Sequence, residues 1–186
     1  MFDGGDLGEV YAISVAKTLG CIGLVTDDIK ERGPHYTLMR IPDEVNMIRE
    51  FKSDELEIVM KIWLETNIRA HNFISKSYWR KNYETVKGML PDATIIVYED
   101  GHIIQGFVGL MGNYIAGIFV NEKCQSQGVG KALLDHIKEN HAELSLHVYK
   151  KNIRAVKFYL RESFVVFNEQ IDENTGEAEL VMNWTK

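Results

Sequence analysis

From residue 47 onward, the spacing of apolar positions changes period several times, and each change predicts an element. Met47–Phe51 is a short apolar run with strand character. Behind Ser53-Asp54-Glu55, the residues Leu56, Val59, Met60, Ile62, Trp63 and Ile68 recur at helical spacing, so a helix opens there. A polar and aromatic link, Arg69-Ala70-His71-Asn72-Phe73-Ile74, leads to a second helix near Lys76–Met89, and Pro91-Asp92 marks a turn. Thr94–Tyr98 and Ile103–Met111 read as strands joined by a hairpin with Asp100-Gly101 at its centre. Gly112-Asn113 turns the chain into a third apolar strand, Tyr114–Val120. A glycine-bearing loop and a helix to about His141 follow. A strand at Leu144–Val148, a helix at Asn152–Glu162, and a closing hairpin of Phe164–Glu169 with Glu177–Asn183 complete the order. Strands and helices intermix, so the expected class is α/β (α+β).

The first 44 residues look like different material. Val10, Ile13, Ala16 and Leu19 form one helical stripe between Glu9 and Gly20, and Cys21–Val25 is a short apolar run before Thr26-Asp27-Asp28. Gly33-Pro34 and Pro42-Asp43-Glu44 break the chain. Residues 1–46 hold four basic against eight acidic side chains, most of the net charge of -6. We expect a short N-terminal helix-strand appendage over 1–44 and a self-sufficient domain over 45–186.

Composition narrows the function classes. With 45% hydrophobic and 26% charged residues in 186, the chain can build a core and is not broadly disordered. A net charge of -6 and a pI near 5.5 argue against broad nucleic-acid binding and mildly favour a cationic partner such as an amine. Cys21 and Cys124, far apart, imply no disulfide framework and suit a reducing, cytoplasmic setting. No apolar run approaches the ~18 residues of a membrane span, and the acidic, glycine-rich start lacks the basic region of a secretory signal. No metal site is expected in 45–186.

The chemistry centres on the loop Gln125-Ser126-Gln127-Gly128-Val129-Gly130-Lys131-Ala132, between a strand and a helix. Glycines let a ligand approach the backbone, and the first amides of a helix carry positive potential, so a diphosphate fits there. A phosphate-binding P-loop fails at Gln125 and Ala132, and a dinucleotide fingerprint fails at Leu133. The pattern Gln-x-x-Gly-x-Gly remains.

One strand later comes Asn152-Ile153-Arg154-Ala155-Val156-Lys157-Phe158-Tyr159. The two stretches together resemble the acetyl-CoA-binding signature of the GNAT N-acetyltransferases, and the element order over 46–186 is similar to that fold, which implies a mixed central β-sheet flanked by helices. Met47-Ile48-Arg49-Glu50, Ile62-Trp63-Leu64-Glu65, His71-x-Phe73-Ile74 with Tyr78-Trp79-Arg80, and Val148-Tyr149-x-Lys151-Asn152 resemble the YiaC-like branch of lysine acetyltransferases. The resemblance implies acetyl-CoA as co-substrate, with its pyrophosphate on Gln125, Ser126, Gln127, Gly128, Val129, Gly130, Lys131 and Ala132. It implies that the strand around Ile118, Phe119 and Val120 offers backbone groups to the pantetheine arm and an N–H to the thioester carbonyl. It places a general acid at Tyr159 and an Asn near the cofactor at Asn152, which is also a good helix N-cap. Tyr114, His71 and Phe73 fall on the acceptor side. The base that deprotonates the amine is open among His71, Glu65 and water. Where the family has Gly-Phe after the last helix this chain has Ser163-Phe164, so Ser163 is expected in a left-handed position.

Residues 1–44 resemble the late part of a PIN-type nuclease, with Glu9 and Asp27 as two carboxylates of an incomplete metal cluster. The expected function is acetyl transfer to a primary amine, first of all a lysine of a protein or peptide. A polyamine or antibiotic acetyltransferase, and a CoA-binding regulatory module without turnover, stand as alternatives. The oligomeric state is open.

Overall fold

A computed structural model describes residues 47–186. The helix and strand expected within 1–44, and the carboxylates Glu9 and Asp27, lie outside the described residues. The elements are β1 Met47–Glu50, α1 Leu56–Ala70, α2 Lys76–Met89, β2 Thr94–Asp100, β3 Ile103–Met111, β4 Tyr114–Val120, α3 Val129–Glu139, β5 Glu143–Tyr149, α4 Ile153–Arg161, β6 Val165–Ile171 and β7 Ala178–Thr185. The sheet order is β1-β2-β3-β4-β5-β7-β6, and every neighbouring pair is antiparallel except β4–β5. This is the mixed sheet that the GNAT resemblance implies.

Local chemistry explains the element ends. The turn Ser53–Glu55 precedes α1, and the Glu55 carboxylate accepts the Lys52 N–H at 2.8 Å. Glu55 also accepts from Arg49 at 3.0 Å, and Arg49 donates to Glu99 at 2.8 Å, so one guanidinium ties β1, β2 and the entry to α1. Ser75 caps α2 by accepting the Tyr78 N–H at 3.4 Å. Asn152 lies just before α4, and its side chain accepts the Ala155 N–H at 3.2 Å.

Two apolar layers enclose the sheet. On one face α1 and α2 bury Val59, Met60, Trp63 and Trp79 against Val97, Phe107 and Phe119, with the two tryptophans edge-on at 6.0 Å. On the other, α3 and α4 bury Leu133, Leu134, Phe158 and Tyr159 against Ile115, Ile118, Leu146 and Val148. Side chains of β4 change face irregularly. Ile115 and Ile118 belong to the second layer, while Ala116 and Phe119 belong to the first. A register shift causes this: Gly109 pairs with Gly117 but Leu110 pairs with Ile115, so Ala116 is the extra residue of a bulge. A Cβ on the neighbouring Gly117 would lie 2.3 Å from the Phe119 ring, so any side chain there would force that ring to shift.

Candidate functional site

The site starts where two parallel strands part. Pairing between β4 and β5 is confined, among the described residues, to Tyr114 with Ser145 and Ile115 with Leu146. Beyond the bulge the strands splay, and the crevice opens at their carboxyl ends, where α3 and α4 begin. Such a crevice is where ligands of open α/β sheets sit. Ile118, Phe119 and Val120 form the β4 wall of the splay, with their side chains packed into the two layers.

The loop from β4 to α3 is shaped by its own side chains. The Gln125 amide donates to the Val120 carbonyl at 3.0 Å, and the Gln127 amide donates to the Lys123 carbonyl at 2.8 Å. Both glutamines therefore brace the loop. Ser126 and Gly128 are left-handed, at φ 61° and 87°. A Cβ on Gly128 would meet nothing within 4 Å, so open space lies before the helix. The first intrahelical bond of α3 runs from the Ala132 N–H to the Gly128 carbonyl at 2.9 Å, which leaves the amides of Val129, Gly130 and Lys131 ahead of the ladder. Lys131 reaches Asp135 at 2.6 Å and Glu162 at 3.6 Å; the Asp135 hydrogen bond raises its pKa and keeps it cationic. Its ammonium thus lies along the helix. A cavity of about 150 Å³ at the mouth of the splay is lined by Thr66, Arg69, Gln125, Asn152 and Arg154.

Tyr159 is wholly buried in the α3–α4 layer, edge-on to Phe158 at 5.0 Å and to Phe164 at 5.3 Å. His71, expected from the resemblance on the acceptor side, lies inside the fold. It is 0% exposed, stacked on Trp79 at 5.3 Å, with its Nε2 3.3 Å from the Asn152 amide nitrogen. Its ring closes the end of α1 against the start of α4. Phe73 stands edge-on to His71 at 5.7 Å and to Tyr149 at 5.7 Å.

The α1–α2 face of β5 and β7 carries a polar group that the sequence reading does not single out. The His147 Nδ1 lies 3.1 Å from Glu179, and Glu179 accepts from Gln170 at 2.7 Å. Tyr114, a sequence-predicted residue, stands perpendicular to the His147 ring at 5.4 Å. Burial pushes the Glu179 pKa up, but the close contact with His147 and the hydrogen bond from Gln170 outweigh it and hold the carboxyl below its ordinary value. Next to this group Tyr149 donates to Asp172 at 2.7 Å. The signal for His147 lies in the alternation of β5: Leu144, Leu146 and Val148 fill one layer, which sends Ser145 and His147 to the other face.

The fold, the splay and the braced loop define an acyltransferase scaffold. Residues 61–185 match the acetyltransferase (GNAT) domain, and the chain belongs to that family. It is similar to the peptidyl-lysine N-acetyltransferase YiaC of Escherichia coli (strain K12), 34% identical over 74% of this chain and 96% of the relative. Its fold is similar to that of apo-form YjaB from Escherichia coli in solution, with a TM-score of 0.68 and 26% identity over 75% of this chain and 97% of the other. The acetyltransferase YncA from Salmonella typhimurium, solved with acetyl-CoA, shares the fold at a TM-score of 0.54 and 12% identity over 76% of this chain and 94% of the other. The chain is an N-acetyltransferase of the acetyl-CoA-dependent kind. Among the described residues no helix is long and apolar enough to cross a membrane.

Proposed function

We propose that the protein transfers the acetyl group of acetyl-CoA to the ε-amine of a lysine in a protein or peptide. The observation that carries this reading is the β4–β5 splay, with the α3 loop at one end and a half-buried polar face beside it. The relatives named peptidyl-lysine N-acetyltransferases support the acceptor class. The domain is taken as 45–186, with 1–44 as an appendage, and the compartment as the reducing cytoplasm.

The residues present fit the donor. Amides of Val129, Gly130 and Lys131, together with the left-handed turn at Ser126 and Gly128, offer donors to a diphosphate in front of α3. Backbone groups of Ile118–Val120, beyond the pairing with β5, line the path of the pantetheine arm. An N–H of this segment stabilises negative charge on the thioester oxygen as the amine attacks. Tyr159 gives its proton to the departing sulfur. A phenol of pKa ~10 stays protonated at neutral pH and matches a thiol of ~8.5 well enough to donate. Asn152 holds the start of α4, and with it Tyr159, in place through its cap on Ala155. Tyr114 and Phe73 line the acceptor side. His71 supports that side from within, through Trp79 and Asn152.

The test is a thiol-release screen with acetyl-CoA against lysine peptides, polyamines and aminoglycosides, with products read by mass spectrometry. Acetyl-lysine as the main product supports the proposal. Release with polyamines or aminoglycosides alone moves the acceptor to small molecules. Binding of acetyl-CoA by calorimetry without release from any amine makes the chain a binding module.

A further inference from the structure

We propose that Phe73 and Glu177 form a seat for a cationic side chain of the acceptor peptide, beside the lysine that is acetylated, and that Lys151 fills this seat when no peptide is bound. The inference rests on the acetyl-transfer reading above and names the class of peptide, one with a second basic residue close to the acceptor lysine.

Placement comes first. Three segments meet at Lys151: the α1–α2 link that carries Phe73, the β5–α4 link that carries Lys151 itself, and the β6–β7 turn that carries Glu177. The Lys151 ammonium lies 2.9 Å and 2.7 Å from the two carboxylate oxygens of Glu177, and 5.5 Å from the centre of the Phe73 ring. Phe73, Tyr114 and Tyr149 all pack in the α1–α2 layer, so the seat is on the side where Phe73 and Tyr114 line the acceptor. The Lys151 side chain is 58% exposed and that of Glu177 19%. Lys151 therefore reaches from solvent onto a carboxylate set deeper than itself.

Chemistry comes second. The seat is fixed and its occupant is exchangeable. Asp172, buried under the turn, accepts from the Tyr149 hydroxyl at 2.7 Å and from the Thr175 hydroxyl at 2.8 Å, and its N–H donates to the Glu177 carbonyl at 2.9 Å. The Phe73 ring is held edge-on by His71 and Tyr149. An ion pair as exposed as that of Lys151 contributes little, and the ring adds a modest attraction for the same charge. A lysine or arginine of a peptide offers that charge and can displace Lys151, which stays charged in water. An acidic side chain is repelled there. The net charge of -6 favours the same peptides.

The occupant is not the reacting amine. Attack on the thioester needs a free lone pair on nitrogen, and a carboxylate at contact distance favours the ammonium form. The seat suits a neighbouring basic residue, whose charge persists through the reaction. Loss of Glu177 and loss of Lys151 then act in opposite directions. The first removes the anion that attracts the peptide, and the second removes the competitor that the peptide must displace. If the ion pair only tied the three segments together, both changes would break one tie and act alike.

The experiment uses the full chain and pairs of peptides with a single acceptor lysine. Each pair carries arginine or its neutral isostere citrulline at one position, and that position is moved step by step along both sides of the lysine. The readout is the ratio of kcat/KM within a pair, which a uniform loss of activity leaves unchanged. The wild type is expected to favour arginine by ~5-fold or more at one position at least. In Glu177→Gln that ratio falls to near one. In Lys151→Met it rises above the wild-type value, as the KM for the arginine peptide falls. A wild type with no preference for arginine at any position overturns the proposal whether or not the variants fold. Ratios that move in the same direction in the two variants, or stay at the wild-type value, overturn it as well. In each of these cases lysine peptides are still acetylated and the acetyl-transfer reading survives. If the wild type acetylates no amine, that reading fails and this one with it.

Discussion

The main-chain N–H of Phe164 donates to the Tyr159 carbonyl at 2.9 Å, and the two rings stand edge-on at 5.3 Å. Between them the Ser163 N–H donates to the Leu160 carbonyl at 3.2 Å, with Ser163 left-handed at φ 67°. Paired bonds of this kind, with an apolar contact across them, form the Schellman closure of a helix. The end of α4 and the seat of the proposed acid are therefore one structure, and its weak point is a side chain where glycine fits better.

Ser163→Gly removes the left-handed penalty of ~1–2 kcal/mol and returns part of it as unfolded-chain entropy. The expected outcome is a gain of ~0.5–1 kcal/mol in urea unfolding, with the Kd for acetyl-CoA unchanged. Ser163→Val places a β-branched residue at the same φ and lowers both stability and turnover. A destabilised glycine variant would remove the strain argument.

Tyr159→Phe deletes one oxygen and keeps the ring between Phe158 and Phe164. If Tyr159 protonates the leaving sulfur, kcat falls ~10²-fold, and calorimetry finds acetyl-CoA bound within about twofold of wild type. Unchanged turnover takes Tyr159 out of the mechanism and leaves it a core aromatic.

Much of the fold is legible in the chain because period and punctuation agree. The helix Lys76–Met89 and the strands Ile103–Met111 and Tyr114–Val120 occur where the apolar spacing puts them. Asn152 is visible as a cap by residue type, and Ser163 as a left-handed end by its departure from the family pattern. Side-chain destinations are harder to read. His71 looks like a loop residue, yet Trp79 of the next helix and Tyr149, distant in sequence, close over it. Gln125 and Gln127 look like ligand contacts, yet each finds a loop carbonyl. The His147–Glu179 pair depends on β5 lying beside β7, which no local pattern states.

Gly117→Ala tests the kink of β4. The new methyl would fall 2.3 Å from the Phe119 ring, which stacks on Phe107 at 4.8 Å. Either the ring leaves its stack or β4 moves, and overpacking of this kind costs ~1–3 kcal/mol. Because the kink marks the opening of the splay, KM for acetyl-CoA is expected to rise along with the loss of stability. A loss of stability at constant KM confines the effect to the α1–α2 layer.

Gly128→Val forces a β-branched residue to φ 87° and fills the space before α3. Acetyl-CoA affinity is expected to fall at least tenfold by calorimetry. Gly128→Ala, which bears the strain with little added bulk, separates the two causes: a smaller loss of affinity at a similar loss of stability assigns the remainder to the filled space.

Acid stability turns on Arg49. Its hydrogen bond to Glu55 is the largest influence on that carboxyl and holds it below its ordinary 4.5, against the opposing effect of burial. The folded-state pKa is depressed, so the stabilisation is present in full above 4.5 and is lost as pH falls through the lower folded value. Arg49→Met removes the cation from Glu55 and Glu99 together. Both carboxylates are largely enclosed, and the expected cost at pH 7 is ~1–3 kcal/mol in urea unfolding. At pH 3 the gap between wild type and variant narrows, because the wild type has begun to lose the same interaction. Glu179 titrates in the same acid range but does so in both proteins, so it cancels in the difference. A gap that stays constant from pH 7 to pH 3 would mean that Arg49 acts through the packing of its stem and not through its charge.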